Sequence, residues 1–250
     1  MEKNCCLSSL SKISKSNMTT LSSFVGILGN IISMLLFLSP LETFWRIVKH
    51  KSTEEFQSLP YICTLLNSAL WTYYGVIKPE TLVSTINGFG VVVETVYVII
   101  FLIFAAPKMR AKTAILVVLL DVGFLAGAIL VTLMVVQGGD LQVEVIGFIC
   151  ASLNIIMYGS PLAAMKTVVM TKSVEYMPFL LSFSIFLNGG IWTVYAVLVK
   201  DIFLGVPNGA GFVLGIAQLV LYAIYRKPKS YNIDFNDLED QHLLQSSNPQ

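Results

Sequence analysis

The chain has 250 residues, 55% of them hydrophobic and 12% charged, with a net charge of +1 and a mean hydropathy of +0.75. An ordinary soluble domain carries about 25% charged residues, so the composition excludes a soluble globular class and indicates a polytopic membrane protein. Nothing in the balanced charge points to a nucleic-acid partner, and the lipid bilayer is the first partner to expect.

Taken in order, the N-terminus has Lys3, Lys12 and Lys15 but no apolar core before Leu21. The run that follows is long and has no small-residue cleavage site, so it reads as a retained span rather than a signal peptide. Seven spans of about 20 residues follow, roughly 22–44, 57–77, 81–105, 113–136, 143–165, 177–199 and 203–225. Arg46, Lys49, Lys51, Lys108, Arg110, Lys112, Lys166, Lys172, Arg226, Lys227 and Lys229 all follow odd-numbered spans. By the positive-inside rule this side is cytosolic, with the N-terminus non-cytosolic and the C-terminus cytosolic.

A stretch in span 2 recurs in span 6. Asn67, Trp71, Thr72, Tyr74, Asn87, Gly88 and Gly90 reappear as Asn188, Trp192, Thr193, Tyr195, Asn208, Gly209 and Gly211, each offset by 121 residues. Spans 1–3 therefore match spans 5–7, and span 4 stands alone. Four crossings separate the repeat starts, so both halves enter the membrane in the same direction, an arrangement used by transporters. The expected fold is an all-α membrane protein of seven transmembrane helices, two parallel three-helix repeats joined by a linker helix (3-1-3). The boundaries are 1–21 for the non-cytosolic N-terminal segment, 22–105 for the first repeat and 106–140 for the linker with its loops. The second repeat covers 141–227, and 228–250 forms a disordered cytosolic tail.

Trp71 lies about 21 Å into span 2 from the cytosolic side and Asn87 about 9 Å into span 3 from the other. In a core of about 30 Å these depths nearly coincide, and Trp192 with Asn208 fall at the same level by the repeat. Aromatic faces and carboxamides at one depth, contributed twice, suit an uncharged polyhydroxylated ligand. Asn67 and Asn188 lie one turn nearer the cytosol. The bland alternative is that these residues only tighten helix packing.

Pro40 and Pro161 sit in matching Ser-Pro steps near the cytosolic ends of spans 1 and 5, and Pro60 and Pro178 near the starts of spans 2 and 6. Each is expected to remove an N–H donor and kink its span, a set of hinges at one mouth. At the other mouth Tyr74 and Asp201 are placed to hydrogen-bond, with a solvated loop position as the plain alternative for Asp201. Ionisable groups inside spans are Glu94 and Asp121, the candidates for proton coupling; neither has an acidic counterpart, and Glu94 reads as a structural hydrogen-bonding group. Cys5, Cys6, Cys63 and Cys150 have no metal-type spacing, and His50 and His242 lie in a loop and the tail. No catalytic residue, cofactor or metal site is expected. In the tail, Glu239 stands four residues before Leu243-Leu244, a pattern that sorting adaptors read.

These stretches resemble the plant SWEET (saliva-type) family of sugar facilitators. The resemblance rests on Gly26-Ile-Leu-Gly29-Asn30, Phe37-Leu-Ser-Pro40, Leu59-Pro-Tyr61, Leu70-Trp-Thr-Tyr-Tyr-Gly75, Asn87-Gly-Phe-Gly90, Lys172-Ser-Val-Glu-Tyr-Met-Pro178 and Val206-Pro-Asn-Gly209. It implies uniport of mono- or disaccharides by alternating access, often in homo-oligomers. It assigns sugar binding to Asn87, Asn208, Trp71 and Trp192, with Asn67 and Asn188 beside them. It also makes the four prolines cytosolic hinges and Tyr74 with Asp201 the opposite gate. Positions four before the Ser-Pro prolines bear on substrate size in this family; here they are Leu36 and Met157, both bulky, which implies hexoses such as fructose and glucose. Glu42-Thr-Phe-Trp-Arg-Ile-Val48, Tyr61-Ile-Cys-Thr-Leu-Leu66 and Asn154-Ile-Ile-Met-Tyr-Gly-Ser-Pro161 are most similar to the vacuolar hexose-transporting subgroup, which implies the tonoplast, with the plasma membrane as alternative. A proton-coupled exporter of small solutes and a heptahelical receptor remain as other readings.

Overall fold

The helices follow from long apolar runs that must satisfy every backbone polar group internally once they enter lipid. The computed structural model describes residues 2–134 and 139–226. In chain order, span 1 consists of α1 (Glu2–Leu38) and α2 (Leu41–His50), span 2 of α3 (Leu59–Ile77) and span 3 of α4 (Thr81–Phe104). Span 4 joins α5 (Pro107–Leu116), a π-helical stretch over Val117–Phe124 and α6 (Leu125–Met134). Span 5 consists of α7 (Gly139–Met157) and α8 (Gly159–Thr171), and α9 (Phe179–Val199) and α10 (Ile202–Tyr225) complete the set. The helix of span 1 begins well before residue 22, taking in the segment that the sequence suggested lay ahead of the first span.

Among the described residues, six helical stretches are long and apolar enough to cross a membrane: Asn17–His50, Thr81–Phe104, Pro107–Met134, Gly139–Thr171, Phe179–Val199 and Ile202–Tyr225. The seventh expected span, α3, is 19 residues long and carries Asn67, Ser68 and Thr72. It packs against α4, α7 and the linker elements, so its polar positions face protein rather than lipid.

The prolines divide into two kinds. Pro40 parts α1 from α2: the Ser39 N–H turns back to the Leu36 carbonyl at 3.1 Å, and the Ser39 hydroxyl donates to the same oxygen at 2.8 Å. Span 5 breaks at Tyr158, where the ring of Pro161 displaces the turn before it. Pro60 is the second residue of α3, and Pro178 precedes the first residue of α9. At a helix start the N–H has no intrahelical partner to lose. These two prolines therefore break no bond inside a span, which corrects the expectation of four equivalent kinks. Pro207, inside α10, adds a break that the first repeat lacks, since residue 86 is Ile.

Within the first repeat α4 lies between α1 and α3, and within the second α10 lies between α7 and α9. The repeats meet reciprocally, α1 packing on α9 and α7 on α3. Matching close approaches hold each unit together. A Cβ on Gly90 would lie 2.4 Å from the Phe37 ring, and one on Gly211 would lie 2.5 Å from the Tyr158 hydroxyl. The π-helical stretch rests on α3, and α6 also touches α7, so the linker lies outside the two-fold arrangement, mainly against the first repeat.

Candidate functional site

Where the two repeats face each other they leave a cavity of about 510 Å³. Asn67, Asn87, Asn188, Asn208, Trp71 and Trp192 all line it, together with Leu36. Met157 does not; it is the last residue of α7, next to the break of span 5. Pro40 and Pro60 line the cavity while Pro161 and Pro178 do not.

The carboxamides and indoles are fixed in matching pairs. Asn87 Nδ2 donates to the Val83 carbonyl at 2.9 Å, and Asn208 Nδ2 to the Leu204 carbonyl at 2.8 Å. Tying the amide nitrogen to its own helix orients each side chain before any ligand arrives. Trp71 Nε1 donates to Asn154 Oδ1 at 3.3 Å, and Trp192 Nε1 to Ser33 Oγ at 2.9 Å. Each ring also meets a tyrosine edge-on, Trp71 with Tyr74 at 5.2 Å and Trp192 with Tyr195 at 5.3 Å between centroids. Ser33 in turn donates to Asn188 Oδ1 at 2.6 Å, whereas Asn67 Oδ1 is buried without a hydrogen-bond partner.

Ser33 and Asn154 were not among the expected site residues, although both line the cavity. They are themselves a pair at the 121-residue offset, so the repeat carried the signal. It was hidden because the two positions hold different residue types.

Away from the prolines the cavity ends in a hydrogen-bonded layer. The Tyr74 hydroxyl donates to Asp201 at 2.8 and 3.0 Å, and Lys78 Nζ pairs with the same carboxylate at 2.7 Å. Asp201 also caps α10 by accepting the Leu204 N–H at 3.1 Å. Its side chain is fully buried, which excludes the solvated-loop alternative. A second link, absent from the expected set, runs from the Tyr195 hydroxyl to Glu80 Oε2 at 2.7 Å. Tyr195 matches Tyr74 and Glu80 matches Asp201 at the same offset. With Tyr74 and Tyr195 buried, this end is shut.

In the loop after span 1, the Glu54 carboxylate is bonded by Arg46 Nε and Nη2 of α2 at 3.1 and 2.5 Å, and His50 Nδ1 lies 3.0 Å from it. The hydrogen bond from Arg46 is the chief cause holding the Glu54 carboxyl below its ordinary value. Among the described residues no group of three or more His, Cys, Asp or Glu is placed to hold a metal ion. Glu239, Leu243 and Leu244 lie outside the described residues.

Two parallel helical repeats enclosing a mid-bundle polar cavity, shut at one end by cross-repeat bonds, define a repeat-built membrane transporter. A family profile described as a sugar efflux transporter for intercellular exchange matches residues 23–109 and 144–230, two segments with the same 121-residue offset. The bidirectional sugar transporter SWEET17 of Arabidopsis thaliana is 59% identical over 213 residues, covering 85% of this chain and 88% of that one. SWEET16 of the same plant is 58% identical over 210 residues, covering 84% and 91%. A 3.7 Å structure of a eukaryotic SWEET transporter superposes with a TM-score of 0.77 at 41% identity, covering 82% of this chain and 97% of that one. The chain belongs to the SWEET family of membrane sugar transporters, which places it among multi-pass membrane transporters rather than enzymes or heptahelical receptors.

Proposed function

We propose that the chain is a bidirectional uniporter of hexoses such as fructose and glucose, working by alternating access. One observation carries the reading: both repeats contribute an asparagine and a tryptophan to a single cavity that is shut at the Tyr74–Asp201 end and reaches Pro40 and Pro60 at the other. The asparagine amides suit vicinal hydroxyls, and the indoles suit the C–H face of a sugar ring. Leu36 narrows the cavity and favours a monosaccharide over sucrose. The basic residues after the odd-numbered spans support a cytosolic proline mouth, a non-cytosolic N-terminus and a cytosolic C-terminus. Pro40 and Pro161, which break their spans, then serve as hinges, with Pro60 and Pro178 fixing the helix starts beside them. The resemblance to the vacuolar subgroup and the tail motif at Glu239, Leu243 and Leu244 support the tonoplast, reached through sorting adaptors, and the family resemblance supports a homo-oligomer.

Proton-coupled export is the second reading, favoured by one observation: Glu94 lines the cavity. Uptake of labelled fructose, glucose and sucrose into proteoliposomes, with and without a pH gradient, separates the two. Uniport equilibrates hexose and ignores the proton gradient; accumulation above equilibrium driven by that gradient overturns it. Asn87→Ala and Asn208→Ala should each weaken hexose transport several-fold at normal membrane abundance, since a hydrogen bond contributes about 0.5–1.5 kcal/mol and its loss leaves a buried group unpaired. Unchanged transport in both would place the sugar elsewhere and return these residues to helix packing.

A further inference from the structure

Among the described residues, Glu94 is the one carboxyl that lines the cavity. It stands seven residues after Asn87 on α4, hence on the same face, and about 10 Å further along the axis toward the proline end. The residue is 3% exposed, and its Oε2 atom is buried without a hydrogen-bond partner. A carboxyl kept there to join helices would bond to a neighbouring helix; no such bond is formed. The lining contains no Lys, Arg or His that pairs with it. Two of the polar side chains that line the same cavity are already committed locally: Ser39 Oγ donates to the Leu36 carbonyl and Thr64 Oγ1 to the Pro60 carbonyl. Hydrogen-bonding capacity is therefore left free at the acid, as it is at Asn67 Oδ1.

The second repeat offers no equivalent. Its matching residue is Gly215, where an added Cβ would lie 2.7–2.9 Å from Phe186 backbone and side-chain atoms, so no longer side chain fits. The cavity is two-fold in its asparagine layer and one-sided in its acid.

We propose that Glu94 is a sugar-contacting residue, its carboxyl hydrogen-bonding a hexose hydroxyl at a second position between the Asn87–Asn208 layer and the Pro40–Pro60 mouth. The assignment rests on the sugar-transport reading above. A sugar leaving the asparagine layer toward the prolines meets this carboxyl next, so the contact acts on apparent affinity more than on turnover.

The test compares wild type, Glu94→Gln, Glu94→Met and Asn87→Ala in proteoliposomes at matched abundance, with labelled hexose and a series of monodeoxy hexoses. Glu94→Met should raise KM about three- to tenfold with little change in kcat, and Glu94→Gln, which still offers an acceptor and a donor, about twofold. One deoxy position that weakens transport by wild type should no longer do so in Glu94→Met. A wild-type KM and an unchanged deoxy profile in Glu94→Met overturn the proposal. If Glu94→Met does not reach the membrane, sugar-induced infrared difference spectra decide. A carboxyl band that changes on adding hexose to wild type and is missing in Glu94→Gln supports the contact; a wild-type spectrum without that band overturns it. Failure of the sugar reading itself looks different: wild type then moves no hexose, or Asn87→Ala is without effect.

Discussion

In the first repeat Trp71 donates its indole N–H to Asn154 of the second; in the second repeat Trp192 donates its own to Ser33 of the first, and the Ser33 hydroxyl donates in turn to Asn188. The shut end shows the same division. Asp201 holds Tyr74, Lys78 and the start of α10, whereas Glu80 at the matching position holds Tyr195. A repeated sequence has thus kept the geometry of its contacts while redistributing their weight. The side chains that differ between halves (Ser33 and Asn154, Glu94 and Gly215, Ile86 and Pro207) are where a nominally two-fold site departs from its symmetry.

The largest expected effects fall on the indoles. Trp71→Ala and Trp192→Ala each remove a buried aromatic at a cost of about 3–5 kcal/mol, enough to lower thermal stability in detergent and abolish most transport. Phenylalanine sharpens the comparison, because it keeps a buried aromatic ring while deleting the N–H together with the five-membered part of the indole, an equal loss of bulk at both positions. Trp192→Phe releases Ser33 and with it Asn188, while Trp71→Phe releases Asn154 alone, so Trp192→Phe should impair hexose uptake more. Equal losses would show that the Ser33–Asn188 link carries no weight.

The shut end comes next. Asp201→Ala strands Lys78 and Tyr74 and uncaps α10, which should cost about 3 kcal/mol, the lower end for a broken buried pair because Lys78 is partly exposed. Glu80→Ala loses one hydrogen bond, about 1 kcal/mol. Thermal unfolding of the two variants should rank them in that order, and cysteine labelling of this end should rise more in Asp201→Ala. The reverse order would make Glu80–Tyr195 the main latch.

Much of this was legible before any coordinates, for physical reasons. Polar and aromatic side chains in apolar runs stand out, so Asn87, Asn208, Trp71 and Trp192 announced both the repeat and the cavity they line. Tyr74 and Asp201 were legible as neighbours because each sits at the same end of its span. What escaped notice depends on contacts between helices. Ser33 and Asn154 serve one role with different residues, and Glu80 differs from Asp201 by one methylene. The turn before Pro161 opens at Tyr158 because a proline acts on the carbonyl behind it. Met157 was expected, from the family resemblance, to bear on substrate size with Leu36, but it ends α7 and does not line the cavity. The partnerless Oε2 of Glu94 is visible only once every neighbour is placed.

The prolines give a smaller effect and a direct comparison between a break and a start. Pro40→Ala restores at most one intrahelical hydrogen bond in span 1, about 1 kcal/mol, which favours the straight helix and slows transport by about fivefold if bending lies on the transport path. Pro60→Ala changes a position whose N–H had no partner to lose, so its effect on rate should be smaller. Should Pro40, Pro60, Pro161 and Pro178 all tolerate alanine at wild-type rates, the hinge assignment fails.

The smallest effect belongs to the loop after span 1, where the halves differ again. Glu54 is held by Arg46 and faced by His50. In the second repeat the matching residue is Glu175, and Thr167 and Thr171 stand where Arg46 and His50 stood, their hydroxyls spent on carbonyls of α8. Because the folded state lowers the pKa of Glu54 below its ordinary value of 4.5, its contribution to stability is present above that value and is lost as pH falls through the lower folded one. Wild type and Glu54→Gln should therefore differ by a small constant amount in thermal stability near neutral pH, and the difference should vanish on the acid side of about pH 4.5. Glu175→Gln, with no ion pair to lose among the described residues, should track wild type across the same range. A difference that persists into strong acid would show that Glu54 does not act through the charge of the carboxylate that Arg46 grips.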